Sequence, residues 1–128
     1  MSTVLIVDDD PSHLKLYSWV VERGGFRSLT ALVQRQTVQF PETEPIDLAV
    51  LDYRLGGQLS AVEVAKRLRN TFPEAPIVVL SDMQWLPEDI APYACGFVRK
   101  GEPEELLQMI TSALKPGTEG ENGSAKLQ

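Results

Sequence analysis

The sequence predicts a doubly wound α/β domain: a five-stranded parallel sheet with helices on both faces. Three observations point to it. Four short apolar runs each stop abruptly at polar residues: Val4-Leu5-Ile6-Val7 at Asp8, Leu48-Ala49-Val50-Leu51 at Asp52, Ile77-Val78-Val79-Leu80 at Ser81, and Phe97-Val98 at Arg99-Lys100. Runs without polar alternation fit strands covered on both faces, as in a parallel sheet. Helical stretches separate the runs, so strand and helix alternate and the crossovers should be right-handed. The length, 128 residues, suits one domain able to bury a core without staples.

The elements follow in order. After the first run, Asp10-Pro11 reads as a helix N-cap with proline at the first helical position. That helix should run to about Arg23 and stop at Gly24-Gly25. Leu14, Tyr17 and Val21 recur at spacings of three and four and should face the sheet. Phe26 to Thr30 is a weaker fifth strand. A second helix is predicted between Leu32 and Phe40, closed by Pro41. Ala61 to Asn70 reads as a helix with Val62, Ala65 and Leu68 on one side. Pro87 and Pro92 break any long helix between Met83 and Ala94, so a short or broken one is expected there. Pro103 to Leu114 forms the last helix, with Leu106, Leu107, Ile110 and Leu114 apolar and an acidic first turn that suits the helix dipole. The domain should span 1–115, with 116–128 a polar, glycine-rich, disordered tail.

Composition excludes several classes. A net charge of −6 and a pI near 4.7 argue against direct nucleic-acid binding. No apolar stretch approaches the roughly 20 residues of a membrane helix, so no membrane insertion is expected. The N-terminus does not read as a signal peptide, and Met1 reads as a natural start. A single cysteine, Cys95, cannot form an internal disulfide. The expected location is cytoplasmic.

In open α/β sheets the functional crevice lies at the carboxyl ends of the strands. The residues there are Asp8, Asp9, Asp52, Ser81 and Lys100. Nearby carboxylates repel one another, and a hard divalent cation resolves that conflict. Mg²⁺, a lysine, a hydroxyl and a further aspartate together suit phosphoryl transfer onto that aspartate. Singly, each residue has an ordinary role: Asp8-Asp9-Asp10 as a capped turn, Asp52 as a loop aspartate, Ser81 as a cap, Lys100 as a surface lysine, Phe97 as core. Their occurrence in order at consecutive strand ends favours the joint reading. His13, the only histidine, reads as a helix-surface residue, and Trp19 and Trp85 as core or contact residues.

From Thr3 to Leu114 the chain resembles the receiver domains of two-component response regulators. Val4-Leu-Ile-Val-Asp-Asp-Asp10, Leu51-Asp-Tyr-Arg-Leu55, Val78-Val-Leu-Ser81 and Gly96-Phe-Val-Arg-Lys100 carry the likeness. The resemblance implies strand order 2-1-3-4-5. It implies Asp52 as phosphoacceptor, and Mg²⁺ held by Asp9, Asp52 and the Arg54 backbone carbonyl, with Asp8 acting through water. Ser81 and Phe97 would be the switch residues, and Lys100 would pair with the acceptor or the phosphoryl oxygen. The implied partners are a cognate histidine kinase or phosphotransfer protein, as in a phosphorelay, and a downstream protein. The chain would be a phosphoacceptor assisting its own phosphorylation and dephosphorylation, not a dedicated enzyme.

Several positions depart from the family pattern. Gly56 stands where proline is common, which predicts a more flexible loop. Gly101 replaces the usual proline after Lys100, so the Lys-Gly bond should be trans, since a cis bond there costs about 2.5–4 kcal/mol. Asp82 stands where a very small residue is usual and should slow phosphorylation by small donors unless it points away or pairs. Arg54 and Met83 are long enough to screen the hydrolytic water, which predicts a long-lived phosphorylated state. These departures keep a second reading open, a degenerate receiver acting as a phosphorylation-independent binding module. An aspartyl-phosphate hydrolase is disfavoured by Arg54, which stands where that class places a second acid. A P-loop NTPase is disfavoured by the absence of its glycine-lysine run.

Overall fold

The computed structural model describes residues 1–114 apart from 42, 43 and 58; the predicted tail from 116 and the boundary at 115 lie outside the described residues. The chain forms β1 (Thr3–Asp8), α1 (Pro11–Arg23), β2 (Arg27–Leu32), β3 (Leu48–Asp52), α2 (Ala61–Thr71), β4 (Ile77–Ser81), a 3₁₀ turn (Ala91–Tyr93), β5 (Gly96–Arg99) and α3 (Pro103–Leu114). The strands make one parallel sheet in the order β2-β1-β3-β4-β5.

Side chains alternate across each strand, and both faces are buried. Leu5, Val7, Ala49, Leu51, Ile77 and Val79 pack against Val64, Ala65 and Leu68 of α2. Val4, Ile6, Leu48, Val50, Val78 and Leu80 pack against α1 and α3 through Leu14, Tyr17, Val21, Leu106 and Ile110. This double burial is why the strands read as unbroken apolar runs. The helix starts follow local chemistry. Asp10 caps α1 by accepting from the Ser12 N–H at 2.8 Å, with Pro11 next. Ser60 caps α2 by accepting from the Glu63 N–H at 3.1 Å.

The helix predicted between Leu32 and Phe40 does not form. β2 continues to Leu32, and Val33, itself buried, donates its N–H to the Asp8 carbonyl at 2.9 Å. Gln34 and Thr37 then pair across a tight turn whose centre, Arg35 and Gln36, has φ of 53° and 63°. Once Val33 is committed to the sheet, too few residues remain before Pro41 to offset helix nucleation, and Thr37 and Val38 are β-branched. An open groove lined by Val38, Phe40, Lys66 and Asn70 lies beside α2 in consequence. The broken segment between β4 and β5 is as expected: Pro87 and Pro92 leave only the 3₁₀ turn, anchored by the fully buried Ile90. No helix among the described residues is long and apolar enough to cross a membrane.

Candidate functional site

The carboxyl ends of β1, β3 and β4 carry Asp8, Asp52 and Ser81 as their last residues, and Lys100 follows β5 directly. Backbone bonds hold this rim together. Tyr53 N–H donates to the Leu80 carbonyl at 2.8 Å, and Lys100 N–H donates to the Ser81 carbonyl at 2.9 Å. Asp8 and Asp52 are each 1% exposed and Ser81 is fully buried. Groups this polar stay inside a fold only with partners or a bound ion.

Asp52 has a partner: Lys100 Nζ lies 2.8 Å from its Oδ1. Burial alone would pull the Lys100 ammonium down, but the contact with Asp52 and the charge of Asp8 outweigh it and the group ends up raised. Asp8 is satisfied on one side only. Its Oδ1 accepts from the Asp9 and Asp10 N–H groups at 2.7 and 3.1 Å. Its Oδ2 is buried with no hydrogen-bond partner. Burial first, and the neighbouring Asp52 second, push the Asp8 carboxyl up to about 8. A site that forces a carboxyl this high is short of positive charge. Ligand atoms of Asp8, His13 and Asp52 all lie within 4.8 Å of one another. That donor set fits a divalent cation.

The other expected residues are placed less simply. Asp9 turns toward the loop after β3, where its Oδ2 lies 2.5 Å from the point a Cβ on Gly56 would occupy. Gly56 has φ +58°, which proline cannot adopt, so this glycine gives Asp9 room as well as shaping the turn. Arg54 offers its N–H to Asp52 Oδ1 at 3.4 Å, while its guanidinium turns away to Asp82, Nε to Oδ1 2.8 Å. Asp82 therefore pairs, and the Arg54 hydrogen bond holds it below its usual range. Ser81 Oγ accepts from the Met83 N–H at 3.0 Å, tightening the turn after β4. Phe97 is half-buried on β5 and belongs to neither core cluster. No cis peptide bond occurs among the described residues, so Lys100–Gly101 is trans as expected, with Gly101 at φ +86°.

Two residues reach this rim that the sequence did not assign to it. His13 Nδ1 lies 3.4 Å from Asp8 Oδ2. Tyr17, expected only as core, has a phenol raised by burial that also feels Lys100, Asp8 and Asp52 and faces the Gly101 backbone N–H. The available signal was positional. α1 begins at the rim, so its first two turns carry side chains back toward it.

This architecture, with three acidic strand-end neighbours and a lysine at the carboxyl edge, defines a class of α/β signalling domain. Residues 4–111 match the response regulator receiver domain, and the chain belongs to that family. It is 32% identical over 119 residues to the heme response regulator HssR of Staphylococcus saprophyticus, covering 90% of this chain and 52% of that protein. It is 37% identical over 78 residues to the alkaline phosphatase synthesis transcriptional regulatory protein PhoP of Bacillus subtilis, covering 61% of this chain and 32% of that protein. The chain thus spans about half or less of these relatives' length. Among solved structures, the chemotaxis protein CheY4 of Vibrio cholerae superposes with a TM-score of 0.73 at 23% identity, covering 89% of this chain and 99% of that one. The response regulator TrrA of Thermotoga maritima, solved with Mg²⁺ and BeF, gives 0.70 at 23% identity, covering 89% of this chain and all, 100%, of that one. At such identities the likeness is one of fold.

Proposed function

We propose that this chain is a phosphorylation-controlled switch that accepts a phosphoryl group on Asp52 from a histidine kinase or phosphotransfer protein in the cytoplasm, and that phosphorylation alters its affinity for a downstream protein. One observation carries the reading. Two buried carboxylates share the rim, Asp52 paired to Lys100 at 2.8 Å and Asp8 with an orphaned oxygen. That arrangement sets an ammonium against the nucleophile and leaves a deficit of positive charge beside it.

In the transfer, an Asp52 oxygen forms the new O–P bond while the P–N bond of a phosphohistidine donor breaks. The departing imidazole keeps the electron pair and regains a proton. Asp8, Asp9, Asp52 and the Arg54 carbonyl are the groups to hold Mg²⁺, which would offset charge on the carboxylates and the transferring group. Lys100 steadies the same charge from the other side. The Ser81 hydroxyl already accepts from Met83, and its own proton remains to be given to a phosphoryl oxygen. A shift of Ser81 would loosen the Met83 turn and leave Phe97, outside both cores, free to change rotamer.

The test is incubation with acetyl phosphate and Mg²⁺ followed by intact-mass measurement. Wild type gains one phosphoryl group and Asp52→Asn gains none, while both keep the same circular dichroism. A wild type that stays unmodified with donor, and that fails to bind beryllofluoride, would sink the proposal in favour of a phosphorylation-independent module.

Asp82 sets a second expected outcome. Arg54 and Asp82 form a neutral, exposed pair at the mouth. Asp82→Ala leaves a lone guanidinium there, which attracts anionic donors. Phosphorylation by acetyl phosphate should become several-fold faster at low salt, with the gain shrinking as salt screens it. An unchanged rate removes Asp82 from the account of donor access.

A further inference from the structure

The geometry points to His13 as a nitrogen ligand of the cation held at Asp8 and Asp52, so that this pocket takes imidazole-accepting first-row ions such as Mn²⁺, Co²⁺ or Ni²⁺ in preference to Mg²⁺. The inference rests on the cation-assisted reading above and deepens it.

Four observations converge. His13 Nδ1 and Asp8 Oδ2 are both buried atoms without a hydrogen-bond partner, although they lie 3.4 Å apart. A hydrogen bond between them would sit at about 2.7–3.2 Å. Two neighbouring ligands of one ion, at bonds of about 2.1 Å, lie about 3.0–3.4 Å apart. The gap is therefore that of two donors on a common cation. Asp52 contributes a third atom, the three lying within 4.8 Å of one another.

The imidazole is also oriented for the task. Its far nitrogen, Nε2, is 3.7 Å from Asp10 Oδ2. Asp10 is fixed in turn, because its Oδ1 caps α1 through the Ser12 N–H. Nδ1 is the buried nitrogen, so it is the ring atom presented to the pocket. Tyr17, one turn on, meets the ring edge-on with centroids 6.4 Å apart and fixes its plane.

Oxygen-only sites suit Mg²⁺, whereas one imidazole among carboxylates moves preference along the first-row series. Mn²⁺-loaded wild type should show nitrogen modulation in pulsed electron paramagnetic resonance, lost in His13→Leu. Titrations of the metal-free protein with Co²⁺ and with Mg²⁺ should give an affinity ratio that drops at least about tenfold in His13→Leu. Wild type that takes up Mg²⁺ and Mn²⁺ without nitrogen modulation, or a ratio unaltered by the substitution, overturns the histidine assignment and leaves the phosphoacceptor reading intact. Wild type that takes up no divalent ion overturns both.

Discussion

Asp8→Asn makes the metal-free protein more stable at pH 7.5 and at the same time abolishes the stabilisation that Mg²⁺ gives to wild type. In the folded chain the Asp8 carboxyl is pushed up to about 8, against 3.8 for the ordinary side chain. Between those values the folded state keeps a proton that the unfolded state has released. Stability from this group is therefore fully present below pH 3.8 and is lost progressively as the pH climbs toward 8. Asparagine carries no proton to lose. It has nearly the same shape, and its carbonyl oxygen can still accept from the Asp9 and Asp10 N–H groups that Asp8 holds now. At pH 7.5 without metal the gain should be on the order of 1–3 kcal/mol, a rise of several degrees in Tm, and it should shrink toward pH 5. With millimolar Mg²⁺ the ranking narrows or reverses, because only wild type has the second charge that a cation needs. Thermal melts of both proteins at two pH values, with EDTA and with Mg²⁺, make the check. A metal-free asparagine variant that melts below wild type at pH 7.5 would show that the pocket is not short of positive charge.

The same pocket shows what a sequence reveals and what it hides. Asp8, Asp52, Ser81 and Lys100 were legible because each ends or follows a strand buried on both faces, and the switch from apolar to polar marks the rim without reference to any other residue. Capping of α1 by Asp10 and the start of α3 at Pro103 were legible from local chemistry as well. The predicted helix from Leu32 to Phe40 failed because its first residues are claimed by a long-range bond, Val33 to the Asp8 carbonyl, which no local propensity reveals. Asp82 looked like a repulsive charge because its partner Arg54 lies 28 positions away. His13 looked like surface. Its side chain is 42% exposed, yet its Nδ1 is buried against Asp8, and a single residue that faces two ways follows no period. Tyr17 was correctly read as facing the sheet, but the direction of its hydroxyl along the helix axis depends on where α1 begins relative to β5.

Lys100→Ala carries the largest expected cost. Removing one member of a buried ion pair strands the other, a penalty of about 3–5 kcal/mol in full burial. Lys100 retains 24% exposure, so water recovers part of the loss and about 2–3 kcal/mol is expected for metal-free protein at pH 9. Above about pH 8, where Asp8 has lost its proton, much of that cost is repulsion between Asp52 and Asp8, which the ammonium now offsets. The two substitutions should therefore be strongly non-additive: in an Asp8→Asn background, Lys100→Ala should cost less than half as much. Acid should rescue the single variant, since the proton that Asp8 takes up below about pH 8 replaces the missing charge, and its deficit relative to wild type should shrink from pH 9 to pH 5. Denaturant unfolding of the four proteins of this cycle, at both pH values, measures every quantity. Additive costs would mean that Lys100 stabilises the fold through its aliphatic stem alone. A positive coupling that vanishes in acid would mean that the lysine holds charge in balance at the rim, between the two buried carboxyls of Asp8 and Asp52.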